Sequence, residues 1–192
     1  ASTTPSIDTG STALLVIDFQ NEYFSGKMPI PEGKAALENA KRLVEMADAS
    51  DMPVFHIQHL TPSGAPIFAE GSSSADFHAD LQPAANHAVV RKTSISVFPT
   101  TDIDAQLKAK GIKTLIVSGL MTHACVAGAA RDAVPLGYDV IVANDACATR
   151  DVDGADGKTV PHGLLHQASL ASLADTFADV QSTNAILALP RH

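Results

Sequence analysis

Ala13-Leu14-Leu15-Val16-Ile17 is an unbroken apolar run that stops at Asp18. A strand that is apolar on both sides has no face to give to water, so it belongs in a sheet covered on both faces, the setting of parallel strands. Comparable runs recur at Pro53-Val54-Phe55-His56-Ile57, Ala88-Val89-Val90, Thr114-Leu115-Ile116-Val117-Ser118 and residues 139–143, with a short sixth strand near Val180. Between them the apolar period becomes helical. Ala36, Leu37, Ala40, Leu43, Val44 and Ala47 fall on one stripe. Further helices are expected over residues 103–110, ended by Gly111, over 123–134, ended by Pro135 and Gly137, over 161–176, and from Ser182 onward. Strand and helix patterns alternate without a second core, a linker or a repeat. The expectation is a single doubly wound α/β domain over residues 1–192, with a mainly parallel sheet and helices on both faces. Residues 1–11, small and polar, are expected to form a flexible arm.

Composition narrows the functional classes. At 192 residues and 45% apolar content the chain is one domain's worth and too apolar to be disordered. No apolar run approaches the roughly 20 residues that a membrane span needs. Thirteen Lys and Arg against twenty-one Asp and Glu leave a net charge of −8, which repels phosphate backbones and argues against nucleic acid as a partner. Only two cysteines are present, far fewer than a disulfide scaffold uses, and no signal-peptide pattern precedes them, so a cytoplasmic location is expected.

Ligands of doubly wound sheets bind beyond the carboxyl ends of the strands. There the chain offers Asp18 after strand one, Lys92 after strand three, and Gly119 to Cys125 after strand four. Cys125 falls in the first turn of a predicted helix, where unpaired N–H groups and the helix dipole favour a thiolate; a small buried packing residue is the alternative. Cys147 has no base nearby in the sequence and reads as packing. Asp18 calls for a cation, unless it caps the following turn, and Lys92 can supply one, unless it is an ordinary surface lysine.

Several other residues are weaker candidates. Phe19, Tyr23 and Phe24 are either an apolar pocket wall or core. The irregular stretch 60–87 has the length of a lid or binding loop, with His78 either a lid residue or solvated. His56 and His59, three apart on a strand, point to opposite faces and are poorly placed to share a metal, although His59 can line the pocket. His162 and His166 are four apart on a predicted helix but lack a third ligand, so a surface role is expected for them. Thr122 is expected to support the turn before Cys125 and His123 to be exposed.

Three segments, Leu15-Val16-Ile17-Asp18-Phe19-Gln20-Asn21, Val90-Arg91-Lys92-Thr93 and Gly119-Leu120-Met121-Thr122-His123-Ala124-Cys125-Val126, resemble the signatures of the isochorismatase-like cysteine hydrolases. The likeness spans residues 12–188 and includes Asp145-Ala146-Cys147-Ala148-Thr149. It implies a six-stranded sheet of order 3-2-1-4-5-6 and an Asp18–Lys92–Cys125 triad. The implied chemistry is C–N hydrolysis of a small amide, lactam or carbamoyl-type substrate through a thioester on Cys125, with Asp18 as proton shuttle. It further implies a cis peptide between Leu120 and Met121, an oxyanion hole from the Met121 and Cys125 N–H groups, and a homo-oligomer, dimeric or tetrameric. Phe19, Tyr23, Phe24, His59, Leu120 and Thr122 are the expected pocket residues. The Asp-x-His of metal-dependent relatives is replaced by His56-Ile57-Gln58-His59, so neither metal nor cofactor is expected. Other readings are an isochorismatase-type hydrolase of another small molecule, and a non-catalytic binding domain of the same fold.

Overall fold

Six parallel strands form one sheet in the computed structural model of the chain, which describes residues 3–192. In chain order the strands are β1 (Thr12–Ile17), β2 (Val54–His59), β3 (Ala88–Lys92), β4 (Thr114–Leu120) and β5 (Asp139–Ala148), then β6 (Val152–Asp153) with β7 (Thr159–Val160), and finally β8 (Asp179–Gln181). The sheet order is β3-β2-β1-β4-β5-β8, so the sixth strand expected near Val180 is β8. The antiparallel β6–β7 hairpin stands apart from the sheet and was not anticipated. The helices are α1 (Gly33–Ala49), α2 (Ile103–Ala109), α3 (Ala127–Ala133), α4 (His162–Thr176) and α5 (Thr183–Ala188). None of the described helices is long and apolar enough to cross a membrane.

The period-two alternation of the strands divides the interior in two. Ala13, Leu15, Ile17, Phe55, Ile57, Leu115, Val117, Val140 and Val142 pack against α2, α3 and α4. Leu14, Val16, Val54, Ile116, Ile141 and Ala143 pack against α1 and α5. The unbroken apolar runs are the consequence, since both faces of every central strand are covered. The chain winds outward from β1 in both directions, so the strand order reverses between β1 and β4, the point beyond whose carboxyl ends ligands of doubly wound sheets bind. The close approach there depends on Gly119 in β4 (φ 149): a Cβ at this position would lie 2.5 Å from the Ile17 carbonyl oxygen.

Two boundaries differ from expectation. The segment expected to be a flexible arm is pinned at its centre. Ile7 is buried, its N–H donates to Pro190 O (2.8 Å) and its carbonyl accepts from His192 N–H (3.0 Å). The apolar Ile7 side chain drives this docking, and short polar neighbours gave no sign of it. Strand β5 also continues past residue 143 to Ala148, because a register shift between Val117 and Gly119 re-pairs Gly119 with Cys147.

His56 and His59 point to opposite faces, as their spacing predicts. His56 Nε2 lies 3.0 Å from His87 Nδ1, and His87 Nε2 lies 2.8 Å from Asp48 Oδ1, which ties α1 to the end of the 60–87 stretch. The Ala84 N–H donates to His87 Nδ1, so His87 accepts there and His56 must donate from Nε2. That leaves His56 Nδ1 bare, buried and without a hydrogen-bond partner among the described residues. Burial, then the neighbouring His87, lowers the His56 pKa to about 4. The unfolded chain protonates this ring near pH 6.5 and the folded chain does not, so stability falls as pH drops from about 6.5 toward 4. Urea unfolding of wild type should lose roughly 2 kcal/mol more between pH 7 and pH 5 than unfolding of His56→Gln.

Candidate active site

β1, β3 and β4 each deliver one group to the crevice. Alternation along β1 would send Asp18 to the α1 face with Val16. Instead Asp18 takes a left-handed backbone (φ 57), which breaks the extended geometry and lets its carboxylate meet Lys92. Lys92 follows Val90 on the same face of β3, opposite His59 in the β2–β3 register. Its Nζ lies 3.0 Å from Asp18 Oδ2, and neither side chain is exposed. The same ammonium donates to Ser94 O (3.1 Å), to His59 Nδ1 (2.8 Å) and to Cys125 Sγ (3.4 Å). The Asp18, Lys92 and Cys125 side chains therefore converge on one nitrogen. Lys92 has no lone pair to offer while charged, so His59 must accept at Nδ1 and carry its proton on Nε2. Burial and the Lys92 charge both lower the His59 pKa and keep the ring neutral.

Cys125 sits in a π-helical turn (Thr122–Val126) that precedes α3, not in the first turn of a regular α-helix. A wide turn of this kind is a frequent device at functional sites. The peptide bond between Leu120 and Met121, just before it, is cis. The expectation of a thiolate favoured by a helix start is corrected here. Burial first, then the negative charge of Asp18, pushes the thiol pKa up, and Lys92 only partly opposes them. Cys125 is 4% exposed, too dry for a helix dipole to prevail. The resting group is the thiol. The Asp18 carboxylate beside it is ion-paired with Lys92, and its two oxygens have no hydrogen-bond partner among the described residues.

The remaining expected residues take distinct places. Tyr23 is buried, and burial first, then the Asp18 charge, pushes its hydroxyl pKa up. Phe24 stacks edge-on against His78 at 4.5 Å, so His78 is only partly exposed. Phe19, Leu120 and Met121 are buried in the core shared with α1. Thr122 is buried, and its hydroxyl meets His166 Nδ1 at 2.7 Å. This corrects the surface role expected for His166, which reaches back from α4 to brace the turn before Cys125. His123, expected to be exposed, is half-buried and bonded to the Thr149 hydroxyl at 2.9 Å. Cys147 is buried in the core, paired through β5 with Gly119 of β4, and burial raises its pKa to about 12.

Three contributors were not anticipated. Gln20 is fully buried and clamps the end of β2, accepting from the His59 N–H (2.9 Å) and donating to His59 O (2.8 Å) and Ala75 O (2.8 Å). Glu22, also buried, accepts from the backbone N–H groups of Lys27 (2.7 Å) and Phe68 (2.8 Å). Phe68 is buried in a left-handed conformation (φ 52), which costs a bulky residue about 1–2 kcal/mol. Position after β1 could have signalled Gln20 and Glu22. Nothing local signals Phe68, because its backbone conformation is imposed by distant partners. Among the described residues no group of three or more His, Cys, Asp or Glu is placed to hold a metal ion.

Because the Asp18 charge holds the Cys125 proton on, Asp18→Asn should move the thiol titration down by roughly 1–3 pH units. Thiolate ultraviolet absorbance in a Cys147→Ser background measures the shift, and an upward shift would contradict the assigned electrostatics.

Comparison with known proteins agrees with this architecture. A profile of the isochorismatase domain matches residues 12–185. The uncharacterized isochorismatase family protein YddQ of Bacillus subtilis is 37% identical over 179 residues, covering 92% of this chain and 99% of the relative. A streptothricin hydrolase of Streptomyces noursei is 34% identical over 165 residues, covering 85% of this chain and 59% of that protein. The crystal structure of an isochorismatase from Pseudomonas putida superposes with a TM-score of 0.89 at 32% identity, covering 95% of this chain and 93% of that one. With an isochorismatase domain over residues 12–185, sequence identity to these relatives over most of its length and a fold that superposes on a solved member, the chain belongs to the isochorismatase family of hydrolases.

Proposed function

We propose that the chain is a cysteine-dependent amidohydrolase that cleaves a C–N bond in a small amide, lactam or carbamoyl-type substrate. The observation that carries this reading is the convergence of Asp18, Cys125 and His59 on Lys92 Nζ, within 3.4 Å in every case. A binding domain has no use for a buried carboxylate, ammonium and thiol in mutual contact, since each charge is costly to bury. The similarity to a streptothricin hydrolase supports the same class of reaction.

In this mechanism Asp18 takes the Cys125 proton as Sγ attacks the carbonyl carbon, so the thiolate forms only when an electrophile is present. Lys92 remains charged and holds both the carboxylate and the developing thiolate. The Met121 and Cys125 N–H groups receive the oxyanion. Collapse breaks the C–N bond, and Asp18 returns its proton to the leaving nitrogen. Water then attacks the thioester with Asp18 again as base, releasing the acid and restoring the thiol. Tyr23, Phe24 and His59 line the pocket, with Phe19, Leu120 and Thr122 behind it. The proposal includes a metal-free reaction, a homo-oligomeric protein and a cytoplasmic location, where a reducing milieu keeps the thiol active.

Screening small amides for released ammonia or amine identifies a substrate. On that substrate Cys125→Ala and Asp18→Asn should each lower kcat by about 10³-fold or more. Undiminished turnover by Cys125→Ala would remove the thiol mechanism. Turnover should also persist after exhaustive chelation; loss restored by zinc or iron would overturn the metal-free claim.

A further inference from the structure

The three central side chains are almost closed off: Asp18 and Lys92 expose none of their side chains, and Cys125 is 4% exposed. Any electrophile must therefore pass something that yields or stands aside. In the 60–87 stretch the most deeply set ring is Phe68, 4% exposed. That ring lies edge-on to Tyr23 (centroids 5.1 Å apart) and to His59 (5.4 Å). Both neighbours face the triad. His59 accepts from Lys92, and the Tyr23 hydroxyl feels the charge of Asp18. A single side chain thus closes against Tyr23 and against His59, which is bonded to the triad lysine.

The backbone is arranged to hold the ring there. Phe68 N–H donates to the buried Glu22 carboxylate at 2.8 Å, and Phe68 O accepts from Thr61 N–H at 2.9 Å. Lys27 Nζ donates to Pro66 O at 2.9 Å, and the Lys27 N–H takes the other Glu22 oxygen at 2.7 Å. The loop after β1 and the segment before Phe68 are cross-braced through Glu22 and Lys27. This bracing keeps a bulky residue in a backbone conformation (φ 52) that phenylalanine rarely adopts.

We propose that Phe68 is the specificity-determining residue of this site, a wall that admits small groups to Cys125 and excludes bulky ones. The inference rests on the reading of Cys125 as the reactive group, but not on which substrate is hydrolysed. Apolar walls discriminate by size on the order of 10–200-fold per group added or removed.

Alkylation of Cys125 reads access without turnover. The intact protein is treated in parallel with iodoacetamide and with a bulky aryl maleimide, and the modified residue is located and timed by peptide mass spectrometry. Cys147, buried in the core, reports in the same sample whether the fold has opened. In wild type the ratio of the iodoacetamide rate to the maleimide rate should exceed that of a free cysteine by on the order of 10-fold or more. In Phe68→Ala the ratio of the two rates should fall by on the order of 10-fold, with Cys147 still protected. Phe68→Leu keeps an apolar filling and should give an intermediate ratio. Glu22→Gln, which weakens the brace and leaves the ring, should raise both rates together. A ratio equal to wild type in the Ala or Leu variant with Cys147 protected overturns the proposal. Loss of amide hydrolysis as the function would leave these ratios unchanged, so the two failures are distinguishable.

Discussion

The ion pair between Lys92 and Asp18 is the contact around which the molecule is organised. Both side chains are withdrawn from water, and each would cost several kcal/mol to bury alone. The pair is tolerable because the ammonium has further acceptors in His59 Nδ1 and Ser94 O. Removing one partner strands the other charge, an effect of about 3–5 kcal/mol in buried pairs. Its geometry demands that β1 and β3 end at the same level although β2 lies between them, which the β1–β2 and β2–β3 registers provide. The close packing of β4 on β1 at Gly119 then brings Cys125 to the same nitrogen.

That arrangement suits the proposed reaction, in which the thiol stays protonated until an electrophile arrives. A dry thiol beside a carboxylate is a poor nucleophile at rest and resists adventitious oxidation better than an exposed thiolate. A buried ammonium beside both lowers the cost of moving the proton once an electrophile arrives. The neutral state of His59 belongs to the same balance, since a second cation 2.8 Å from Lys92 would repel it. Around this core the supports are hydrogen bonds from distant parts of the chain: Gln20 onto the end of β2, His166 onto Thr122, and Glu22 onto the segment bearing Phe68.

Much of this was legible beforehand, for reasons that can be stated residue by residue. Strands covered on both faces leave apolar runs, so β1, β2 and β4 are legible from the local pattern of apolar residues. Asp18, Lys92 and Cys125 stood out because each places a polar or reactive group where such a run ends. Opposite orientation of His56 and His59 follows from a strand's period of two. The continuation of β5 to Ala148 was invisible, because it depends on a register shift in the neighbouring strand. Docking of Ile7 depends on the carboxyl-terminal residues, which lie far away in sequence. The resting state of Cys125 is not local either: a helix start argues for a thiolate, while burial and Asp18 argue more strongly against one.

By itself the sequence determined the layers, the order of elements and the three residues at the strand ends, because periodicity and chain order are local properties. Tertiary structure alone decided the protonation state of the thiol, the neutral tautomer of His59, the braces from Gln20 and His166, and the position of Phe68. Each of these depends on which charges and hydrogen-bond partners lie within a few ångströms. Those distances are set by the pairing of strands and the packing of loops, not by any neighbour along the chain.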